Sequence, residues 1–523
     1  MKKELKFHYV LAICASLFVP TDYFLAASEK QIAITILHTN DLHGHVTSWQ
    51  GWEGDLAEMN VGGLDRIAAE VARVRKAVGA EKVLLLDAGD TLGDTLIAAK
   101  TDGRVIIESM NLIGYDAMVV GNHEVDFSAE VLRSRMAHAT FPILAANITD
   151  ENTKSLLSKP YVLKHVAGIK IGILGLAYPN TPYTTAKKNV VGLRFDDARA
   201  AAEHYVPLMR RDGAEVIVAL THLGLSADKQ LAEHVNGIDV IVGGHSHNRM
   251  RDALVVNQTV IVQAGAHGSD LGRLDLELQR SADGYKISRH ERNLITLSGE
   301  RDPATAEFLA RALTPYEAQR NETIGHARGT LIRAQTLGGD QPTPRDEESP
   351  VDDLFADALR ESTGTDIALL PGVGYGVAIA KGPITADHLK NLIPHESDIV
   401  TMTLTGKQIK SILEQSIENF STKNASQKVG GIIQVSGLRF SFDAKQAFGS
   451  RVRTVEISRE PLQLDKRYTV TTNSLLAEGG HKYEDFNQGQ DRQKLGKQYD
   501  LVSQWIRQRR EVESPPTNRI QEL

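Results

Sequence analysis

Seven residues far apart in the chain carry side chains that bind divalent cations: Asp41, His43, Asp90, Asn122, His222, His245 and His247. Imidazole nitrogens with carboxylate and amide oxygens suit zinc, manganese, iron or magnesium rather than sulfur-seeking ions. Seven donors are too many for one ion, whereas two ions sharing a carboxylate would use them well. Two cations about 3.5–4 Å apart form a clamp on the attacking and leaving oxygens of a displacement at phosphorus.

Such a set converges only if the chain delivers it to one place. Short β-branched apolar runs alternate with amphipathic segments, which predicts an α/β architecture with covered sheets. The runs are residues 32–37, 83–86, 117–120, 143–146, 169–174, 216–220 and 238–242. Five of them lead straight into polar clusters: Asp41-Leu-His43, Gly89-Asp90, Gly121-Asn122-His123-Glu124, Thr221-His222 and Gly243-Gly-His245-Ser-His247. In open α/β sheets ligands sit beyond the carboxyl ends of strands, where all five clusters would lie. Glycine at 89, 121, 243 and 244 permits the sharp turns required there. Any one cluster alone reads as a turn or a hydrogen-bonded histidine; their order and shared position point to a site. His38 is expected in the packed strand end, and His45 follows the donors without an evident metal role.

With 523 residues, 41 % of them hydrophobic and 24 % charged, the chain has material for two or three domains at about 150 residues each. A net charge of −7 lacks the basic footprint of a protein that coats nucleic-acid polymers. Lys2, Lys3 and Lys6 precede an apolar run, Tyr9 to Val19, then Ala26, Ala27 and Ser28, the anatomy of a secretory signal over residues 1–28. Its removal would take away Cys14, the only cysteine, so disulfides and thiolate ligands are not expected. No later apolar stretch reaches the roughly 20 residues of a membrane span. A soluble periplasmic or secreted protein is expected.

The motifs HTNDLHGH (38–45), DAGDT (87–91), GNHEVDF (121–127), TH (221–222) and GGHSH (243–247) resemble, in this order, the dinuclear metallophosphoesterases, and within them the secreted 5′-nucleotidase and UDP-sugar hydrolase family. The resemblance extends over essentially the whole mature chain. It implies that Asp41, His43 and His247 hold one metal, that Asn122, His222 and His245 hold the other, and that Asp90 bridges them. It makes His123 the group that stabilises the transition state or assists the leaving group, with Asp126 orienting it as a dyad. The fold it implies is a four-layer αββα sandwich over residues 29–302. A helical linker at 303–325 and a C-terminal α/β substrate-binding domain at 326–523 would follow. Direct hydrolysis is expected, with a metal-activated water attacking phosphorus in line. Asp126 would raise the basicity of His123 and fix its tautomer, although Asp126 could instead cap a helix over 127–137.

In the second domain extended runs are expected at 367–370, 399–404 and 468–472, with helices over 351–359 and 407–420. Arg345 fits one phosphate-binding arginine of the family, and a guanidinium fork suits phosphate oxygens. The family's Asn-Gly-Gly-Gly-x-Arg segment is replaced by Leu370-Pro-Gly-Val-Gly-Tyr-Gly376, without the Asn or the Arg. Of two aromatics that would sandwich a nucleobase, one position is Ile432 and the other Tyr483. The expected substrate is a small phosphate ester, in the first place a nucleoside 5′-phosphate. A sulfur-ester hydrolase related to the bacterial thiosulfohydrolases, or a nucleotide-binding protein without turnover, are the alternatives. Zinc and manganese fit the donors equally.

Overall fold

Residues 31–51, 56, 59–281, 284–333, 345–372, 376–395, 397–422, 424 and 427–523 are described by the structure, a computed structural model. The expected signal at 1–28, with Cys14, and the centre of the Pro371–Gly376 segment at 373–375 lie outside the described residues. In Ile32–Thr39 (β1), Ile34 and Ile36 enter one apolar cluster and Leu37 another. In Val83–Asp87 (β2), Leu84 and Leu86 share the first cluster, and Val83 and Leu85 the second. Two apolar faces at period two make a strand covered on both sides.

The strands that join these two in the domain's large sheets are Ala117–Val119 (β3), Ile143–Leu144 (β4), Tyr161–Val166 (β5), Ile169–Leu176 (β6), Val216–Thr221 (β7), Val240–Gly243 (β8), Leu254–Val256 (β9), Thr259–Val262 (β10), Asp270–Ser281 (β11) and Gly284–Thr296 (β12). They form two six-stranded mixed sheets, β12-β11-β1-β2-β3-β4 and β9-β10-β8-β7-β6-β5. β1 to β4 are parallel, as are β6, β7, β8 and β10, so the donor-bearing ends point one way within each sheet. Ile34, Leu84 and Val119 of one sheet meet Ile171, Val218 and Val242 of the other in a single core. Ile67, Ile107 and Leu309 bring helices to the outer face of the first sheet, and Val206 and Leu231 do so on the second. The layers are therefore αββα, as the motifs imply. His38 is fully buried opposite Gly272, where a Cβ would come within 2.1 Å of its Nε2.

Some expected boundaries shift. The 143–146 run pairs only over Ile143–Leu144, because the N–H groups of Ala145 and Ala146 turn to the carbonyls of Lys159 and Gly175. Pro303–Leu313, expected inside the interdomain join, is a helix capped by Asp302 whose Leu309 and Leu313 complete the first domain's core. The second domain holds a five-stranded sheet built from Ile367–Leu370 (β13), Asp398–Thr405 (β14), Gln434–Ser436 (β15), Arg467–Asn473 (β16) and Gln490–Lys497 (β17), in the order β15-β13-β16-β14-β17. Ala368 and Leu370 pack toward the helix Pro350–Thr363, whereas Ile367 and Leu369 pack toward Gly406–Ser421. The latter helix starts with a capping box between Thr405 and Gln408. No helix of the described residues is long and apolar enough to cross a membrane.

Candidate metal centre

The five clusters leave the ends of β1, β2, β3, β7 and β8, those after β1, β2 and β8 through unusual backbone. Asp41, His43, Asp90, His245 and His247 all have positive φ, between 46° and 74°. A non-glycine residue held there costs on the order of 1–3 kcal/mol and persists only where its surroundings over-determine it. The surroundings do so here. The N–H groups of Asp41 and His43 donate to the carbonyls of Gly89 and Asp90, both at 2.8 Å. The buried Glu124 carboxylate accepts four N–H groups, from Asp90, Thr91, Leu92 and Gly121, at 2.6–3.0 Å. At Gly121 a Cβ would lie 2.3 Å from Asp90 Oδ1, so only glycine admits the Asp90 loop.

These turns gather the donors into two adjoining groups, Asp41 with His43 and His247, and Asp90 with His222 and His245. His247 Nε2 lies 3.3 Å from Asp41 Oδ1 and 3.1 Å from His43 Nε2; His222 Nε2 lies 2.9 Å from Asp90 Oδ2. A hydrogen bond and a close charged contact behind the rings fix which nitrogen faces inward. His222 Nδ1 donates to the Ala88 carbonyl at 2.7 Å, and His43 Nδ1 meets Asp94 Oδ2 at 2.5 Å, leaving each Nε2 to the centre. Asn40 Nδ2 donates to Asp41 Oδ2 at 2.6 Å and to the Gly265 carbonyl, orienting the carboxylate.

The residues fit divalent cations on two observations. Asn122 Oδ1 and His245 Nδ1 are buried without a hydrogen-bond partner, a costly state for polar atoms unless something else satisfies them. Burial disfavours an imidazolium at His222, yet Asp90, with Asp41 and Glu124, raises its pKa to about 9. Burial and the neighbouring charged groups instead hold His43 and His245 well below the usual histidine range, which leaves those rings neutral, the form in which imidazole binds a metal.

His123 and Asp126 stand beside this centre. His123 Nδ1 is 2.6 Å from Asp126 Oδ2, and its Nε2 lies 3.9 Å from Asp90 Oδ2. Burial opposes a proton on His123, but Asp126, Asp90 and Asp94 outweigh it and hold the pKa well above the usual histidine range. Asp126 Oδ1 accepts from Thr185 Oγ1 at 3.2 Å, which fixes the carboxylate. Asp126 does not cap the helix that follows: Ala129–His138 begins two residues later than the pattern suggests, and Ser128 Oγ accepts the Val131 N–H.

The substrate-side residues divide. Arg345 is near enough that its charge acts on His245 and on Tyr178, whose ring packs 4.1 Å from that of His245. Tyr483 is 1 % exposed and Ile432 fully buried, both inside the second domain's core, so neither offers a face to a base. Tyr483 packs edge-on against Phe486, which the turn at Glu484–Gln488 folds inward; its substrate-binding role is corrected to a core one. Sequence reasoning missed Asp94 and His395. Asp94 lies in the same loop as Asp90, a signal that could have found it. His395, from the second domain, stacks on His123 and has no local signal.

Comparison with known proteins follows this division of the chain. Residues 34–249 match the calcineurin-like phosphoesterase family and residues 323–488 the 5′-nucleotidase C-terminal domain. The trifunctional nucleotide phosphoesterase protein YfkN of Bacillus subtilis is 29 % identical over 94 % of this chain, which spans 35 % of that longer protein. The crystal structure of a 5′-nucleotidase precursor from Thermus thermophilus superposes with a TM-score of 0.84 at 28 % identity, over 94 % of this chain and 99 % of that one. The sulfate thiohydrolase SoxB of Thermus thermophilus shares the fold, with a TM-score of 0.83 at 23 % identity over 94 % of this chain and 96 % of that one.

Proposed function

We propose that this chain, whose two parts match the calcineurin-like phosphoesterase family and the 5′-nucleotidase C-terminal domain, is a metal-dependent phosphoesterase that removes phosphate from nucleoside 5′-phosphates or closely related small esters, with His123 and Asp126 as its dyad. The observation that carries this reading is the conjunction of two donor groups with a buried His123–Asp126 pair at their edge. Asp41, His43 and His247 would hold one cation and Asn122, His222 and His245 the other, with Asp90 between them. Bound cations supply a water of lowered pKa and positive charge for the phosphoryl oxygens.

The chain's own residues do the rest. Against the cost of burial, Asp126, Asp90 and Asp94 together hold the His123 pKa above the usual histidine range, so His123 can place its Nε2–H against the charge that builds on the phosphoryl group and departing oxygen. Asp126 holds Nδ1, so the ring neither rotates nor changes tautomer as the proton leaves. Arg345, whose charge reaches His245, brings a guanidinium suited to phosphate oxygens. The basic and apolar make-up of residues 1–28 supports export to the periplasm or exterior.

The buried Ile432 and Tyr483 favour one second reading, a sulfur ester or another substrate without a stacked base. A single panel separates the two. Residues 29–523, loaded with manganese or zinc, should release phosphate from AMP, ADP or UDP-glucose in a chelator-sensitive manner, and His123→Ala should do so about 10²–10⁴-fold more slowly. Metal-loaded protein that spares every nucleotide yet cleaves a thiosulfate ester would replace the nucleotide assignment with the second reading.

A further inference from the structure

His395 sits in the turn after the helix Ala386–Leu392 of the second domain, yet its ring lies over a ring of the first. The His395 and His123 centroids are 5.3 Å apart and their planes differ by 8°. His395 Nδ1 is 3.9 Å from Asp126 Oδ2, longer than a hydrogen bond, and it is the ring face that meets the imidazole of the dyad. The turn is anchored from below: Lys390, 5 % exposed, donates from Nζ to the Pro394 carbonyl at 2.9 Å. His123 is thereby bounded by Asp126 at Nδ1, by Asp94 at 3.9 Å, and by a flat ring from the other domain.

We propose that His395 is a positioning residue for the hydrolytic step: its ring holds the plane of His123, so that Nε2 keeps its aim at the leaving-group oxygen only when the second domain is seated. Burial, reinforced by the positive His123, takes the His395 pKa down to about 3, so the stack sets a neutral ring rather than a second cation against His123. The proposal rests on the reading of His123 as the group that assists the leaving group. If it holds, the second domain contributes to turnover as well as to substrate binding, because the first domain's His43 meets the His123 ring only edge-on, at 5.0 Å and 67°, and leaves the flat stack to His395.

The test compares His395→Ala and His395→Phe in the metal-loaded chain on two esters, a nucleoside 5′-monophosphate with a poor leaving group and 4-nitrophenyl phosphate with a good one. A group that only positions a proton donor matters in proportion to how much the leaving oxygen needs the proton. His395→Ala should lower kcat about tenfold or more on the nucleotide and less than about threefold on the aryl ester, with KM and metal content little changed. His395→Phe, which restores a flat ring without nitrogen, should recover most of the loss. Equal loss on both esters, an unchanged kcat on the nucleotide, or no recovery by Phe would overturn the proposal. His123→Ala serves as the control that separates the two readings: it should show the same leaving-group bias more strongly, and its absence there would remove the role of His123 itself.

Discussion

At the scale of single residues, the centre depends on carboxylates that touch no cation. Asp94 meets His43 Nδ1 and thereby turns Nε2 toward Asp41 and His247. Removing such a partner typically costs 10–100-fold in metal affinity. Asp94→Ala should therefore weaken cation binding by about that factor, read by competition with a chromophoric chelator; unchanged affinity would mean that packing alone orients His43. His123→Ala should behave oppositely. Its ring lies beside the donor groups, so kcat should fall about 10²–10⁴-fold while two equivalents of metal remain. The seven candidate donors were legible in the sequence because each lies within a few residues of a strand end, whereas their division between two cations came only from the family resemblance; Asp94, missed, shares a loop with Asp90. His395 was not legible, since nothing around Pro394 states which surface of the other domain it meets.

At the scale of elements, strand ends deliver the chemistry and their turns are intolerant. Gly121→Ala would drive a Cβ to 2.3 Å from Asp90 Oδ1 and 2.7 Å from Glu124 Oε2. The four N–H bonds to Glu124 would then have to rearrange, and the variant should lose the Asp90-centred cation before it loses its fold, seen as less than two equivalents of metal at a native circular dichroism spectrum. The turn at His481 offers a pH test. It is held at φ 51°, 8 % exposed, and its carbonyl accepts from Asn419 at 2.8 Å. Burial, with Arg345 nearby, lowers the His481 pKa from 6.5 to about 4. Between those values the unfolded chain binds a proton that the folded chain does not, so this contribution is complete above pH 6.5 and is lost as pH falls toward 4. The loss approaches about 3 kcal/mol at most. His481→Asn, which tolerates positive φ, should flatten the fall of Tm between about pH 7 and 5; an identical slope would place the acid sensitivity elsewhere. The sequence marked where strands are but misjudged their ends, as at Ala145 and Ala146, because a backbone N–H can leave its sheet for a carbonyl of the neighbouring one without any change in side-chain pattern. Tyr483 was misjudged for a related reason: a Gly-Gly-x-x-Tyr segment does not reveal whether the ring turns outward or, with Phe486, into the core.

At the scale of the whole molecule, two domains with separate cores meet at the centre: Tyr178 Oη donates to the Lys428 carbonyl at 2.7 Å, and His395 covers His123. Cations bound only by the folded chain stabilise it by mass action, by about 2.7 kcal/mol at one hundred times Kd. Chelation should accordingly lower Tm by several degrees, and the first domain's transition should move more than the second's, since the expected ligands all lie in the first. The central claim is that two cations at these donors make a phosphoesterase, and it is tested most directly by titrating metal-free protein with manganese while following phosphate release from AMP. The account predicts little release through the first equivalent, a rise that saturates at the second, and a rate about 10²–10⁴-fold lower at every stoichiometry for His123→Ala. Two tightly bound equivalents with no phosphate released from AMP or any other phosphate ester would contradict it.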